Sequence, residues 1–408
     1  MTAGVNGRRP VVLPTGPEHR VTTLELFFDL VFVFAFTQVT ALVAAAGGAE
    51  GALRGLVLAA LLWWAWCSYS WLGNQARADE GLVRHAMFLA MGAMMVLALA
   101  IPEAWHDQPG GLDAPVVLAV CFTVVQWCHL GVYAVAAGSD RRLRRQIALV
   151  AAPVLVGNLL LLIGSLTSPG ARTTWWLVAM AVNYTGIYVA GASGWRLPAP
   201  AHFAERYALI VLIALGESIV AIGVGVAELP VSLPVVVATA ASIALSITLW
   251  WLYFDVLALV LEHRLTSQEG VAQTRLARDT FTYLHFPIVA AVLGMSVGVK
   301  KVFAHVGDPA APGLGDAVHG LPALLLAGGP AVYLVALSAL YRRSTGSFAR
   351  GHLLTALALA GLAALDAAVG VPALVHLTAV AGLLAVLVLV ENRRTAPTRA
   401  RYRGLADD

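Results

Sequence analysis

Thr23-Leu-Glu25-Leu-Phe-Phe-Asp29-Leu-Val-Phe-Val-Phe-Ala-Phe-Thr37-Gln38 sets two carboxylates four residues apart in a run otherwise made of Leu, Phe, Val and Ala. A helix places Glu25 and Asp29 on one face. The remaining faces are apolar all round, which fits a helix buried in a large core or one that spans a membrane. Composition decides between them. The 408 residues are 59% apolar and 12% charged, against about 25% charged in a soluble domain. Twelve apolar runs recur along the chain, at 24–45, 53–72, 83–101, 115–137, 147–166, 174–194, 206–227, 234–261, 280–299, 321–341, 353–369 and 372–391. Each is near the roughly 20 residues that cross a bilayer. The sequence therefore predicts an all-α polytopic integral membrane protein with about twelve transmembrane helices.

Charge gives the orientation. With the N-terminus in the cytoplasm, 22 of the 26 Lys and Arg residues fall on the cytoplasmic side. Only Arg54, Arg172, Lys300 and Lys301 face outward. That bias predicts cytoplasmic termini and an even number of spans; the expected location is the inner membrane. The cluster Arg141-Arg142-Leu143-Arg144-Arg145 belongs to this pattern and is read as a topology determinant, not as a nucleic-acid site. The expected organisation is a cytoplasmic N-terminal tail (1–23), a transmembrane domain (24–391) and a basic, disordered cytoplasmic tail (392–408). The first twenty residues are polar, with Pro10, Pro14 and Pro17, and contain no apolar signal-peptide core, so the first span is expected to direct insertion. The longest outer loop, 300–320, is rich in Gly, Pro and Ala, carries Asp308 and Asp316, and is expected to be a flexible connector.

A weak internal repeat relates the halves 24–194 and 206–391. Glu25 and Gln38 in the first run correspond to Glu205 and Glu217 in the seventh. Trp63-Trp64-Ala65-Trp66 corresponds to Trp250-Trp251-Leu252-Tyr253, and His85 to His285. Such a 6+6 arrangement would keep both halves in the same orientation, as in parallel-repeat transporters.

Ionisable groups inside spans are costly, at least about 2.5–3.5 kcal/mol each near mid-bilayer, and face the bundle interior. The candidates for an ion or solute path are Asp29, Glu217 and Asp255, with Glu25, His285 and His129 beside them. The competing role is structural: Glu25 or Asp29 paired with Arg84 or Arg206, Asp255 paired with a histidine, and the histidines as core residues. Glu217 has no nearby basic residue in its own helix and shares a face with Ala214, Ala221 and Gly225, so it should point into the bundle.

Enzyme and cofactor signatures are absent from the sequence. Gly191-Ala192-Ser193-Gly194 matches the string of rhomboid-type proteases, but no suitably placed histidine follows. There is no HExxH, phosphate-binding loop or GxGxxG at a strand–helix turn. Cys67, Cys121 and Cys128 lie in apolar runs without metal-ligand spacing. The expectation is a non-enzyme with no cofactor and no metal, whose partners are the bilayer and a small solute or ion.

Three stretches carry a family likeness: Thr23-Leu24-Glu25-Leu26-Phe27-Phe28-Asp29-Leu30-Val31-Phe32; Glu205-Arg206-Tyr207 through Leu215-Gly216-Glu217-Ser218-Ile219; and Thr282-Tyr283-Leu284-His285-Phe286-Pro287. They resemble the bacterial low temperature requirement protein A family over about residues 18–391. The resemblance implies a multi-spanning membrane protein. The family's name records a cold-growth phenotype and no reaction. Phe28-Asp29-Leu30 is also faintly similar to the Phe-Ser-Asp opening of a six-span-repeat potassium channel family, but Phe28 stands in place of the serine. The expected function is transport of a small solute or ion, with proton coupling as an option. A non-transporting scaffold or sensor is the rival, and an intramembrane enzyme comes last.

Overall fold

The computed structural model describes residues 12–227, 229–306 and 315–407. Among these every regular element is a helix, and β pairing is limited to two isolated bridges, Pro14 to Ala76 and Ala317 to Pro372. The helices are α1 (Thr23–Ala46), α2 (Gly48–Gln75), α3 (Gly81–Ala100), α4 (Ala114–Ala136), α5 (Arg141–Ser165), α6 (Pro169–Ala190) and α7 (Pro200–Val226), followed by α8 (Leu233–Phe254), α9 (Leu257–Thr266), α10 (Gly270–Leu276), α11 (Phe286–Val306), α12 (Leu321–Thr345), α13 (Arg350–Val369) and α14 (Ala373–Asp407).

Among the described residues eleven stretches are long and apolar enough to cross a membrane, counting α8 with α9 and α10 through α11 as one each. This is a multi-pass membrane protein. The remaining run of the sequence reading, α6, has the length at 22 residues, but Arg172, Thr173, Thr174, Asn183 and Thr185 dilute its apolarity. It lies tightly along α5. Trp176 Nε1 donates to the Leu161 carbonyl at 3.0 Å, and a Cβ on Gly186 would come within 2.3 Å of Pro153.

Local chemistry explains the helix ends. Thr22 and Glu25 form a reciprocal capping box at the start of α1, so the first carboxylate already has a structural task. Asp113 and Asp140 cap α4 and α5 through their side chains. Gly346 and Gly370 end α12 and α13 in the left-handed region, at φ 83° and 69°, where glycine is favoured.

Several sequence expectations change. The eighth run is not one helix, because it breaks between Phe254 and Leu257, with Asp255 at the break. The ninth is preceded by α10 and a π-helical segment, Ala277–Tyr283, a geometry often found at functional sites. The C-terminal residues expected to be disordered continue α14 to Asp407. In the 300–320 loop, α11 persists to Val306, and residues 307–314, including Asp308, lie outside the described residues.

Helices α11 and α12 approach closely. A Cβ on Gly298 would sit 2.7–2.9 Å from Leu326, including its backbone, and one on Gly329 would sit 2.7 Å from the Ala291 carbonyl oxygen. Small residues permit this approach. Gly298→Val and Gly329→Val are each expected to destabilise the fold by about 1–3 kcal/mol through overpacking, read as a lower midpoint in thermal unfolding of the detergent-solubilised protein. An unchanged midpoint would show that α11 and α12 separate freely.

Candidate functional site: a two-layer polar seam between α1 and α7

Helices α1 and α7 run parallel in one fixed register. Glu25 meets His202, Asp29 meets Arg206, and Thr40 meets Glu217, each pair separated by 177 residues. Positions 29 and 40, like 206 and 217, are about 16 Å apart along an ideal helix axis. Eleven residues make nearly three whole turns, so both layers return to the same face.

The first layer, near the helix N-termini, is closed. Arg206 donates from Nη1 to Asp29 Oδ2 at 2.7 Å and from Nη2 to Asp29 Oδ1 at 2.9 Å, a bidentate clamp. Trp66 Nε1 donates to Asp29 Oδ1 at 2.8 Å, and its ring lies 5.3 Å beneath the guanidinium, within cation–π range. Arg206 Nη1 also donates to the Glu25 carbonyl at 3.2 Å, and its Nε lies 3.8 Å from Glu25 Oε1. His202 Nε2 is 3.0 Å from Glu25 Oε1. The Thr22 backbone N–H and hydroxyl donate to Glu25 Oε2 at 2.9 and 3.0 Å. Glu25, Asp29, His202 and Arg206 are all buried.

His19 borders this layer from the segment before α1. That segment is fixed by the Pro14–Ala76 bridge and by Arg77 N–H donating to the Leu13 carbonyl at 2.8 Å. The His19 and His202 ring centroids are 4.9 Å apart. Burial, then the neighbouring His202, lowers the His19 pKa below its ordinary value.

The second layer is half-satisfied. Glu217 Oε1 accepts from Thr40 Oγ1 at 2.6 Å and from Lys300 Nζ at 3.1 Å. Lys300 Nζ also donates to Thr40 Oγ1 at 2.5 Å. Glu217 is fully buried, and its Oε2 has no hydrogen-bond partner among the described residues. Beside Thr40, a cavity of about 240 Å³ opens between α1, α2, α11 and α12, lined by Val39, Val43, Ala59, Leu293 and Val297. Buried Phe32, Phe36, Ile210, Val211 and Ala214 fill the space between the layers.

The seam thus gathers Glu25, Asp29 and Glu217 and leaves out the other three candidates. Asp255 sits at the α8–α9 break and accepts from Arg399 Nε of α14 at 3.0 Å, an arginine partner where the sequence reading named a histidine. His285 is held by Tyr253 OH at 2.8 Å and lies 2.9 Å from the Thr280 carbonyl, as a core residue. His129 lines a separate pocket with Trp64, Trp71, Trp195 and Gln126, where neither ring nitrogen has a protein partner.

Sequence reasoning missed His19, His202 and Lys300. His202 and Arg206 repeat on α7 the four-residue spacing of Glu25 and Asp29 on α1, with complementary character. That was the available signal. Lys300 was hidden because the apolar run ends at 299 while α11 continues to Val306. Its amine reaches Glu217 Oε1 at 3.1 Å.

A bundle of long apolar helices with two polar layers buried between parallel α1 and α7 defines a polytopic membrane protein with an internal ionic seam. The chain belongs to the bacterial low temperature requirement A protein (LtrA) family, whose profile matches residues 20–390. It is similar to the uncharacterized protein RA0937 of Rhizobium meliloti (strain 1021), at 29% identity over 322 residues, covering 74% of this chain and 75% of that protein. No solved structure matches.

Proposed function

We propose that the protein transports a small solute or cation across the inner membrane, with its termini in the cytoplasm, and that proton exchange at Glu217 drives the cycle. The observation that carries this reading is the asymmetry of the Glu217 carboxylate. One oxygen is held by Thr40 and Lys300, and the other is buried without a hydrogen-bond partner among the described residues, behind a hydroxyl that lines a cavity. A buried carboxylate and amine attract strongly only while both are charged. A proton arriving at Oε2 leaves the Lys300 ammonium uncompensated and weakens its hold on α7. Loss of that proton restores the pair. The Asp29–Arg206 layer closes the cytoplasmic half of the same seam. The reading includes no catalytic step and no nucleic-acid partner.

A scaffold or sensor is the second reading. The complete pairing of Asp29 by Arg206 and Trp66 favours it, since that layer already accounts for two of the buried charges. Solvent access separates the two. With Cys67, Cys121 and Cys128 replaced, single cysteines at Val43 and Leu293 are expected to react with a membrane-impermeant thiol reagent added outside, while one at Phe32 stays inert. Cavity cysteines inert from both sides would favour the scaffold.

A further inference from the structure

We propose that His19, Glu25 and His202 form a binding site for a borderline divalent cation of the Zn²⁺ type, a role separate from transport. One ligand-capable atom from each residue lies within 4.8 Å of the other two. The three come from the segment before α1, from α1 and from α7, so no local spacing in the sequence could reveal them. Two imidazoles and one carboxylate are a donor set that suits Zn²⁺ and leaves a coordination position open.

Four features favour a cation here. His19 Nε2 is buried without a hydrogen-bond partner among the described residues, although it stands beside a carboxylate and a second imidazole. The Glu25–His202 contact explains those two residues and leaves His19 unexplained. Thr22 donates twice to Glu25 Oε2, which fixes the carboxylate, and His202 Nε2 lies within reach of both its oxygens, 3.0 Å from Oε1 and 3.2 Å from Oε2. Such outer partners orient the ligands in metal sites. Gly73 packs against the carboxylate, where a Cβ would lie only 2.5 Å from Oε1, so α2 walls the site without adding a donor. Finally, an open pocket lined by Pro14, Gly16, Pro17, Glu18, His19 and Arg77 reaches the site from the surface. It gives an ion a way in past the Glu18 carboxylate.

The local charges permit this. Arg206 would repel a cation, but Asp29 holds its guanidinium in the bidentate clamp. Arg77 at the pocket rim is paired with Glu80 at 2.7 Å and Asp79 at 3.5 Å. A metal at about 2.1 Å from each donor needs ligand separations of about 3.4 Å in tetrahedral geometry. Glu25 Oε1 and His202 Nε2 are already at 3.0 Å. Binding therefore needs mainly an inward swing of His19, whose backbone is anchored to α2. The ion would tie the N-terminal segment to α1 and α7.

The test uses full-length protein purified without a histidine tag and stripped with chelator. Titration calorimetry with Zn²⁺ is expected to give one equivalent per chain, and Co²⁺ is expected to show visible ligand-field bands. His19→Ala should weaken binding at least ~10-fold, as loss of a ligand requires, while His85→Ala on the exposed face of α3 leaves it unchanged. Zn²⁺ should also slow proteolysis within residues 12–22 of the unsubstituted protein, a readout that needs no variant to fold. Absence of stoichiometric binding, or binding that His19→Ala leaves intact, would overturn the site whether or not the protein transports anything.

Discussion

Arg206→Ala is expected to lower stability by about 3–5 kcal/mol, the range for removing one partner of a buried ion pair. The substitution leaves Asp29 fully buried with only the Trp66 N–H for company and takes a charged neighbour from Glu25. It also removes the cation from above the Trp66 ring. Arg206→Lys should recover only part of the loss, because an ammonium cannot reproduce the two parallel bonds to one carboxylate. Pairing Arg206→Met with Asp29→Asn should recover more than the lysine does, since no buried charge is then stranded. Thermal unfolding in detergent or nanodiscs reads all of these. A loss no larger than that of exposed Arg84→Ala, which should stay within about 0.5 kcal/mol, would mean that the first layer does not hold α1 to α7.

Glu217→Gln is expected to abolish transport while leaving a folded, inserted protein. The amide keeps the shape and can still accept from Thr40, but it carries no exchangeable charge for Lys300. Lys300→Met is expected to cost more stability than Glu217→Gln, because it strands a carboxylate whose Oε2 already lacks a hydrogen-bond partner among the described residues. The double variant should regain stability relative to Lys300→Met, since the two residues contact each other and their effects couple. It should not regain transport. That split separates a functional pair from a structural one: a purely structural pair would recover both together.

Parts of this organisation were legible in the sequence for clear reasons. Long apolar runs and lopsided arginines are one-dimensional signals, and they pointed to the polytopic helical fold. Arg206 could be named as a partner for Glu25 or Asp29 because it stands at the start of a span and so at matching depth. Other parts need the third dimension. The partner of Asp255 lies 144 residues away, in a basic segment whose composition resembles a tail although it continues α14. The partner of Glu217 lies 83 residues away, past the end of an apolar run that stops short of the helix. The break at Asp255 and the π-helical segment before α11 leave no period in the sequence, because both are set by packing. The constant 177-residue register between α1 and α7 emerges only once three contacts are seen together.

Glu217 is expected to exchange protons during transport while Asp29 does not. The measurement that tests this most directly is proton flux into pyranine-loaded proteoliposomes under an imposed pH gradient. Unsubstituted protein is compared with Glu217→Gln and Asp29→Asn at matched insertion. Protein-dependent flux is expected in the unsubstituted protein, lost in Glu217→Gln, and retained in Asp29→Asn at temperatures where that variant remains folded. Flux from well-folded Glu217→Gln equal to that of the unsubstituted protein would contradict proton exchange at Glu217.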